Sequence, residues 1–211
     1  MSNTRYAARV CAIGLGTALL VGVASAAAAE ENLGDNDVDV TVQIAQIDEP
    51  GVLAMTVANT AATLTENGST ATERQFTGQL PTVTVTDTRA AADIPAGAGW
   101  YVLGTSSDFA GDAGQPAIGA GHLGWAPQLI DGGDAGLVSE GDVVDTVMDE
   151  DDPNAQLPVG LVDQELLAMA FDSAAIAPEG QWTASANLFL RTPADVAPGA
   201  YTASLTLSLF E

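Results

Sequence analysis

Basic residues are almost absent from this sequence. It has no lysine and five arginines against 28 acidic residues, so the 211-residue chain carries a formal net charge of −23 at pH 7. Nucleic-acid binding needs clustered basic side chains to neutralise phosphates, and attraction to an anionic membrane surface needs a polybasic segment. The composition excludes both modes, and it predicts that bare Coulomb repulsion opposes approach to any anionic polymer.

Cysteine and histidine are just as scarce, since Cys11 and His122 are the only residues of their kinds. One cysteine cannot build a disulfide framework, and a lone histidine cannot complete a Cys/His zinc site. No serine lies in a Gly-x-Ser-x-Gly pattern, the signature of the serine nucleophile in α/β-hydrolases. His122 could act as a general base or metal ligand, but a lone histidine in a glycine-rich stretch is more often structural.

The first 26 residues have the three parts of a secretory signal peptide. Arg5 and Arg9 precede an apolar run at residues 10–23, and Ala24-Ser25-Ala26 supplies a small-x-small cleavage pattern, with cleavage up to residue 29 as a variant. An uncleaved anchor is the other interpretation. Cleavage leaves three basic and 28 acidic groups, a net charge of −25. No second apolar run approaches the ~20 residues that span a bilayer, so we expect a secreted protein that is either free or held non-covalently.

Hydrophobic residues make up 47% of the chain, so the high charge does not indicate disorder. Apolar and polar residues alternate with period two in several segments, which predicts short half-buried strands. The alternation is clearest at the end of the chain, where one face carries Tyr201, Ala203, Leu205, Leu207 and Leu209. The segment at 161–171 fits either a helix or a strand.

Turn signals such as Asn67-Gly68 and Pro198-Gly199 separate these segments. Many short strands joined by turns favour an all-β fold, an antiparallel β-sandwich of Ig-like or Greek-key type. No repeat or linker divides the chain. We therefore expect a flexible acidic leader at residues 27–37 and a single domain at residues 38–211.

Three motifs suggest chemistry and have plainer interpretations. Residues 119–124 match the dinucleotide pattern G-x-G-x-x-G, but Trp125, Ala126 and Pro127 do not open a helix, which favours a loop. Paired carboxylates could serve a glycosidase, and that hypothesis predicts two close acids in an aromatic-lined cleft. Acidic runs could bind calcium weakly, with a solvated acidic surface as the alternative. The candidate calcium ligands are Asp149, Glu150, Asp151 and Asp152, with a second acidic cluster at Asp35, Asp37 and Asp39. No other cofactor is expected.

Aromatic residues are few, and three of them are candidates for a contact surface: Trp100, Tyr101 and Trp125. Exposed rings could stack on sugars or meet a partner protein. The alternative for the tryptophans is that they fill the core of the sandwich.

The order of several motifs resembles a WxL domain over residues 38–211. A strand at 81–87 ends in Asp87-Thr88-Arg89, a Gly-Trp-Tyr-Val-Leu segment follows at 99–103, and the chain closes with Gly-Ala-Tyr at 199–201 and an alternating strand. Leu207 stands where the family has its closing tryptophan. The alanine-rich, lysine-free composition is typical of an actinobacterial-type relative of this Gram-positive family.

WxL domains attach non-covalently to peptidoglycan and assemble with other surface proteins. The resemblance implies a secreted, non-catalytic protein that associates with a cell-wall polymer or with partner surface proteins. The alternative is an extracellular carbohydrate-binding or adhesin module, calcium-assisted in one version. An extracellular hydrolase with paired acids is the third hypothesis.

Overall fold

The computed structural model describes residues 51–211, and this part of the chain is all-β with antiparallel sheets, which confirms the predicted class. The signal peptide, the acidic leader and the strand pattern at residues 38–44 lie outside the described residues. Within them, no helix is long and apolar enough to cross a bilayer.

The described chain forms a series of strands joined by short loops. In chain order these are β1 Leu53–Val57, β2 Thr65–Glu66, β3 Glu73–Gln79, β4 Val83–Asp87, β5 Trp100–Ser106, β6 Ala110–Gly111, β7 Leu123–Asp131, β8 Val138–Glu140, β9 Glu165–Ala170, β10 Gln181–Pro193, β11 Tyr201–Thr202 and β12 Leu205–Phe210. One short helix, α1 Ser173–Ile176, and three 3-10 turns at Ala91–Asp93, Ala120–His122 and Val147–Asp149 interrupt them.

The first sheet is organised around β10, its longest strand. On one side the first part of β10 pairs with β4 and the later part with β3, while β7 pairs along the other side. β1 extends the sheet beyond β4, and β2 extends it beyond β3. Pro127 fits into β7 because this strand lies at an edge of the sheet, where a missing N–H is tolerated.

The second sheet has the strand order β12-β5-β9-β8, and β11 pairs with β6 in a separate short ladder. The two larger sheets pack face to face as a sandwich. Trp100 of β5 meets Trp182 of β10 with ring centroids 5.6 Å apart. Beside this pair, Trp125 of β7 is fully buried against the backbone of Gly104 in β5. The sandwich core is therefore built from large rings of one sheet set against rings and glycine of the other.

The segment that fitted either a helix or a strand is β9. A β-bulge in its ladder with β5 turns the consecutive residues Leu167 and Ala168 both inward. Two neighbouring buried residues break the period-two pattern, which explains why alternation alone was ambiguous there.

The C-terminal segment has the predicted apolar face, but it forms two strands instead of one. Leu205, Leu207 and Leu209 pack partly buried against the core, while the chain divides at Ala203 and Ser204 so that β11 pairs with β6 and β12 with β5. The predicted hairpin at Asn67-Gly68 is present, since β2 pairs with β3. The loop between the strands is longer than a two-residue turn, and only Gly68 of the pair has positive φ, at +89°.

The contact between Gly104 and Trp125 gives a test of the sandwich. A Cβ at Gly104 would lie 2.6 Å from Cη2 of Trp125, so Gly104→Ala should destabilise the fold by about 1–3 kcal/mol through overpacking. Gly119→Ala is the matched control, because Gly119 has φ −64° and a Cβ there would have Oδ1 of Asp108 as its nearest neighbour, at 3.9 Å. Urea unfolding measures both variants, and equal midpoints would contradict the packing.

Candidate functional site

The structure corrects two of the three predicted contact residues. Trp100 and Trp125 are 1% and 0% exposed, so neither ring can touch a polymer or a partner in this fold. Both take the alternative role of core residues, because their indoles fill the space between the sheets. Tyr101, the third candidate, is 37% exposed and faces outward from β5.

Tyr101 belongs to a row of side chains that crosses the outer face of the second sheet. Its partner on β12 is Phe210, also 37% exposed, and its partner on β9 is Met169. The rings of Tyr101 and Phe210 stack with centroids 5.3 Å apart and an interplanar angle of 17°. We call Phe210, Tyr101 and Met169 the outer row.

The surroundings of the outer row are polar but carry few charges. On β12 the residues that share its face are Thr206 and Ser208, and Ser139 of β8 pairs with Met169. Directly after β9, Phe171 is 59% exposed. Outward rings beside hydroxyl groups form a surface suited to neutral ligands with apolar and hydroxyl faces.

The acidic residues proposed for calcium do not form a metal centre. In the region 51–211, no three His, Cys, Asp or Glu side chains are arranged to hold an ion. Asp149 is already used, because its carboxylate accepts from the backbone N–H and hydroxyl of Thr146 and pairs with Arg191. Glu150, Asp151 and Asp152 are exposed. The cluster at Asp35, Asp37 and Asp39 lies outside the described residues.

All three arginines in the described part of the chain are neutralised by carboxylates. Arg74 pairs with Glu66, Arg89 with Asp87 and Glu211, and Arg191 with Asp149. A guanidinium that already holds a carboxylate offers little attraction to an anionic ligand. The outer surface is therefore acidic without a compensating basic patch.

Arg89 joins the two sheets through an ion-pair network. Its Nε and Nη2 donate to Asp87 at the end of β4, at 2.9 and 2.7 Å, and Nη1 lies 2.7 Å from Glu211, which follows β12. Asp87 is 1% exposed. Burial alone would raise the pKa of Asp87, but the hydrogen bonds and charge of Arg89 hold it below its ordinary value. The Asp-x-Arg motif is thus a structural joint.

His122 and the glycine-rich stretch around it also have structural roles. Nδ1 of His122 lies 2.7 Å from the carbonyl oxygen of Arg191, to which it donates a hydrogen bond. The stretch forms a 3-10 turn, Ala120–His122, that runs directly into β7. A dinucleotide site would need a helix at this point, so the structure contradicts that interpretation.

Within residues 51–211, the sandwich is open along one side, between the edge strands β1 and β12, where a cleft of about 520 Å³ lies. A second cleft of about 590 Å³, walled by residues of β3, β10 and β11, shares Leu64, Phe109 and Ala203 with the first. Further walls of the first cleft are Met55, Val57, Leu205 and Leu207. We call this opening the edge groove.

The edge groove lacks the carboxylate pair that the hydrolase hypothesis requires, because neither of its clefts is lined by Asp or Glu. A close pair of acids does occur near the start of β9. There burial raises the pKa of Glu165, and the neighbouring charge of Asp163 raises it further. Neither residue lines the groove, so this pair does not meet the expectation of an aromatic-lined cleft.

Comparison with known proteins does not assign this chain to a family. No protein-family model and no curated protein matches the chain. Among solved structures, a family 123 glycoside hydrolase from Clostridium perfringens, described for glycolipid glycan hydrolysis, is similar at 16% identity and a TM-score of 0.31. The match covers 65% of this chain and 18% of that one. A likeness this low assigns neither fold nor activity.

Sequence reasoning found Tyr101 but missed Phe210 and the edge groove. Phe210 follows the alternating leucines and falls on the polar face with Thr206 and Ser208. Its position in the alternation therefore indicated an outward-facing side chain. Its stacking on Tyr101 depends on the register of β12 with β5, which local pattern does not give.

The joint between the sheets gives a pH-dependent prediction. A carboxyl group whose folded-state pKa is depressed stabilises the fold above its unfolded pKa, and that stability is lost as pH falls through the folded pKa. Asp87→Asn should therefore cost about 3 kcal/mol at neutral pH. The difference from wild type should shrink below about pH 3.9.

Urea unfolding of both proteins across this pH range measures the difference directly. Glu66→Gln is the control, since it removes an exposed ion pair with Arg74 and should change stability little. A difference between wild type and Asp87→Asn that stays constant down to acidic pH would contradict the depressed pKa.

Proposed function

We propose that this protein is a secreted, non-catalytic cell-surface protein that associates with the cell wall through the outer row. The bound chemistry is the neutral glycan of the wall polymer. Export is supported by the signal-peptide pattern at residues 1–26. The WxL resemblance supports a wall-associated role.

The observation that carries this proposal is the exposed, stacked pair of Tyr101 and Phe210. In most antiparallel sheets the solvent face is polar, and here it carries two aromatic rings and a methionine in one line across three strands. Pyranose rings present flat apolar faces flanked by hydroxyls. The outer row and its neighbouring Thr206 and Ser208 offer the complementary groups.

The negative charge of the protein determines which wall polymers it can approach. The described region contains 21 acidic side chains and three arginines, all three paired with acids. Anionic polymers are therefore repelled, whereas a neutral glycan strand is not. Added salt screens the repulsion from the rest of the wall.

Leu207, which stands where the WxL pattern has a tryptophan, does not lie on this surface. Leu207 belongs to the inner face of β12, where one of its methyl carbons would lie 3.2 Å from a Cβ placed on Gly104. A leucine there fills the interior beside Trp125. The outer row on the opposite face is therefore independent of this replacement.

A carbohydrate-binding or adhesin module for external glycans is the second candidate, and the same aromatic pair favours it. The two functions differ in the ligand: insoluble peptidoglycan for the first and soluble polysaccharide for the second. Tryptophan quenching cannot separate them, because Trp100, Trp125 and Trp182 are all buried.

Sedimentation with purified peptidoglycan tests the proposal. The mature protein should bind, and Tyr101→Ala combined with Phe210→Ala should raise the dissociation constant at least about tenfold, or 1.4 kcal/mol. Ile130→Ala is the matched control, since Ile130 is 55% exposed on the other sheet. Binding should be retained or strengthened at high salt and should not require calcium.

Two results would count against the wall-binding version. One is absence of sedimentation at every salt concentration with a folded protein, as judged by its thermal unfolding. The other is equal binding by wild type and the double variant. Binding to soluble polysaccharide alone would instead support the adhesin function.

A further inference from the structure

The loop between β2 and β3 carries a dipeptide that can react with itself. Asn67 and Gly68 form the only Asn-Gly pair in the sequence, and both residues are exposed. The main-chain nitrogen that follows an asparagine can attack the side-chain amide carbon and displace ammonia. Glycine in that position leaves the path open because it has no Cβ. The geometry of the loop therefore decides whether the reaction takes place in the folded protein.

The loop leaves the two reacting groups of this pair accessible. Within residues 51–211, the N–H of Gly68 donates no hydrogen bond. The side-chain amide of Asn67 makes one long hydrogen bond, from Nδ2 to Oγ1 of Thr77 at 3.3 Å. The attacking nitrogen is thus free, and the amide that it attacks is held only weakly.

The fold requires glycine at the second position of the pair. Gly68 has φ +89°, and a Cβ there would lie 2.5 Å from Nε2 of Gln75. The same Nε2 donates to the main-chain carbonyl of Asn67 at 2.9 Å. A side chain at position 68 would therefore strain the backbone and disturb a hydrogen bond of the loop. The hairpin keeps its reactive pair because its own geometry depends on the glycine.

The other three asparagines of the described region are less open to this attack. Asn59, Asn154 and Asn187 are followed by threonine, alanine and leucine, whose side chains hinder the approach. The N–H after Asn154 also donates to the carbonyl of Asp152 at 3.0 Å, and Asn187 lies inside β10. Asn154 is exposed like Asn67, so it is an internal control for exposure alone.

We propose that Asn67 is a self-modification site with water as its co-reactant. The main-chain nitrogen of Gly68 gives its proton to hydroxide and attacks Cγ of Asn67. A new C–N bond closes a cyclic succinimide, the bond from Cγ to the amide nitrogen breaks, and ammonia leaves with a proton from water, which restores the hydroxide. Water then opens either carbonyl of the ring and gives aspartate or isoaspartate. The net change is gain of water and loss of ammonia, and it does not depend on wall binding.

Isoaspartate is the product that alters the hairpin. It routes the main chain through the former side chain and so adds a methylene at a residue that bonds Gln75 twice. The N–H of Asn67 donates to the main-chain carbonyl of Gln75 at 2.9 Å, and its carbonyl accepts from Nε2 of Gln75. The lengthened chain cannot keep both bonds, so the pairing of β2 with β3 should loosen. The reaction thereby converts the age of each molecule into an irreversible structural change.

Mass analysis of the folded full-length protein after incubation in mildly alkaline buffer tests the proposal. The peptide that contains Asn67 should shift by the mass difference between a hydroxyl and an amino group, and the rate should rise with hydroxide concentration. Peptides that contain Asn59, Asn154 or Asn187 should not shift. Asn67→Gln should abolish the change, because glutamine has to close a larger ring. Asn154→Gln is the matched control and should leave it intact.

Tryptic cleavage after Arg74 gives a second readout, because Arg74 lies on β3 in the hairpin. Incubated wild type should be cut sooner than fresh wild type, whereas incubated Asn67→Gln should keep its resistance. Asn67→Asp adds the negative charge without the methylene and should also resist. Early cleavage of fresh Asn67→Asp would contradict the role given to isoaspartate.

Three further results would overturn the proposal. The first is conversion of Asn67 in urea-unfolded protein but not in folded protein, because the native loop would then hold the pair out of reach. The second is conversion of Asn154 as fast as that of Asn67, which would make exposure the only requirement. The third is equal tryptic sensitivity of incubated wild type and incubated Asn67→Gln.

Discussion

The packing of aromatic rings between the two sheets is the contact on which the rest of the molecule depends. Trp100 and Trp182 meet from opposite sheets, and Trp125 occupies the space that Gly104 leaves open. A chain without a cysteine beyond residue 11 has no disulfide to join its sheets, so burial of these large side chains has to do so. Arg89 adds a polar joint at the rim, where it links Asp87 of one sheet to Glu211 beside the other.

Because all three tryptophans are buried in the core, any recognition surface must be formed by other residues. Tyr101 and Phe210 are the aromatic pair on the outer face of the second sheet, and the leucines of β12 face a groove that the first sheet does not cover. The two surfaces lie on opposite faces of the same edge strand. The even-numbered residues of β12 belong to the outer face and its odd-numbered leucines to the inner face, so the two surfaces are physically separable.

Much of the sheet structure could be predicted from the sequence because alternation reports which face of a strand is buried. Val83 and Val85, or the leucines of β12, follow this rule directly. It failed at Leu167 and Ala168, where a bulge set by tertiary pairing buries neighbours. The role of Trp100 and Trp125 could not be decided, because apolar neighbours such as Tyr101 and Ala126 leave either face of each strand compatible with burial. The pairing of Tyr101 with Phe210 depends on register between distant segments, which local composition does not encode.

The indole pair at the sheet interface has an optical consequence. Trp100 and Trp182 belong to different sheets, and their rings lie 5.6 Å apart with planes inclined by 41°. Chromophores this close and this inclined couple their excited states, and rings held in fixed packing give near-ultraviolet circular dichroism. The coupling exists only while the two sheets are docked. The protein therefore carries a built-in spectroscopic marker of its own tertiary closure, distinct from the secondary structure within each sheet.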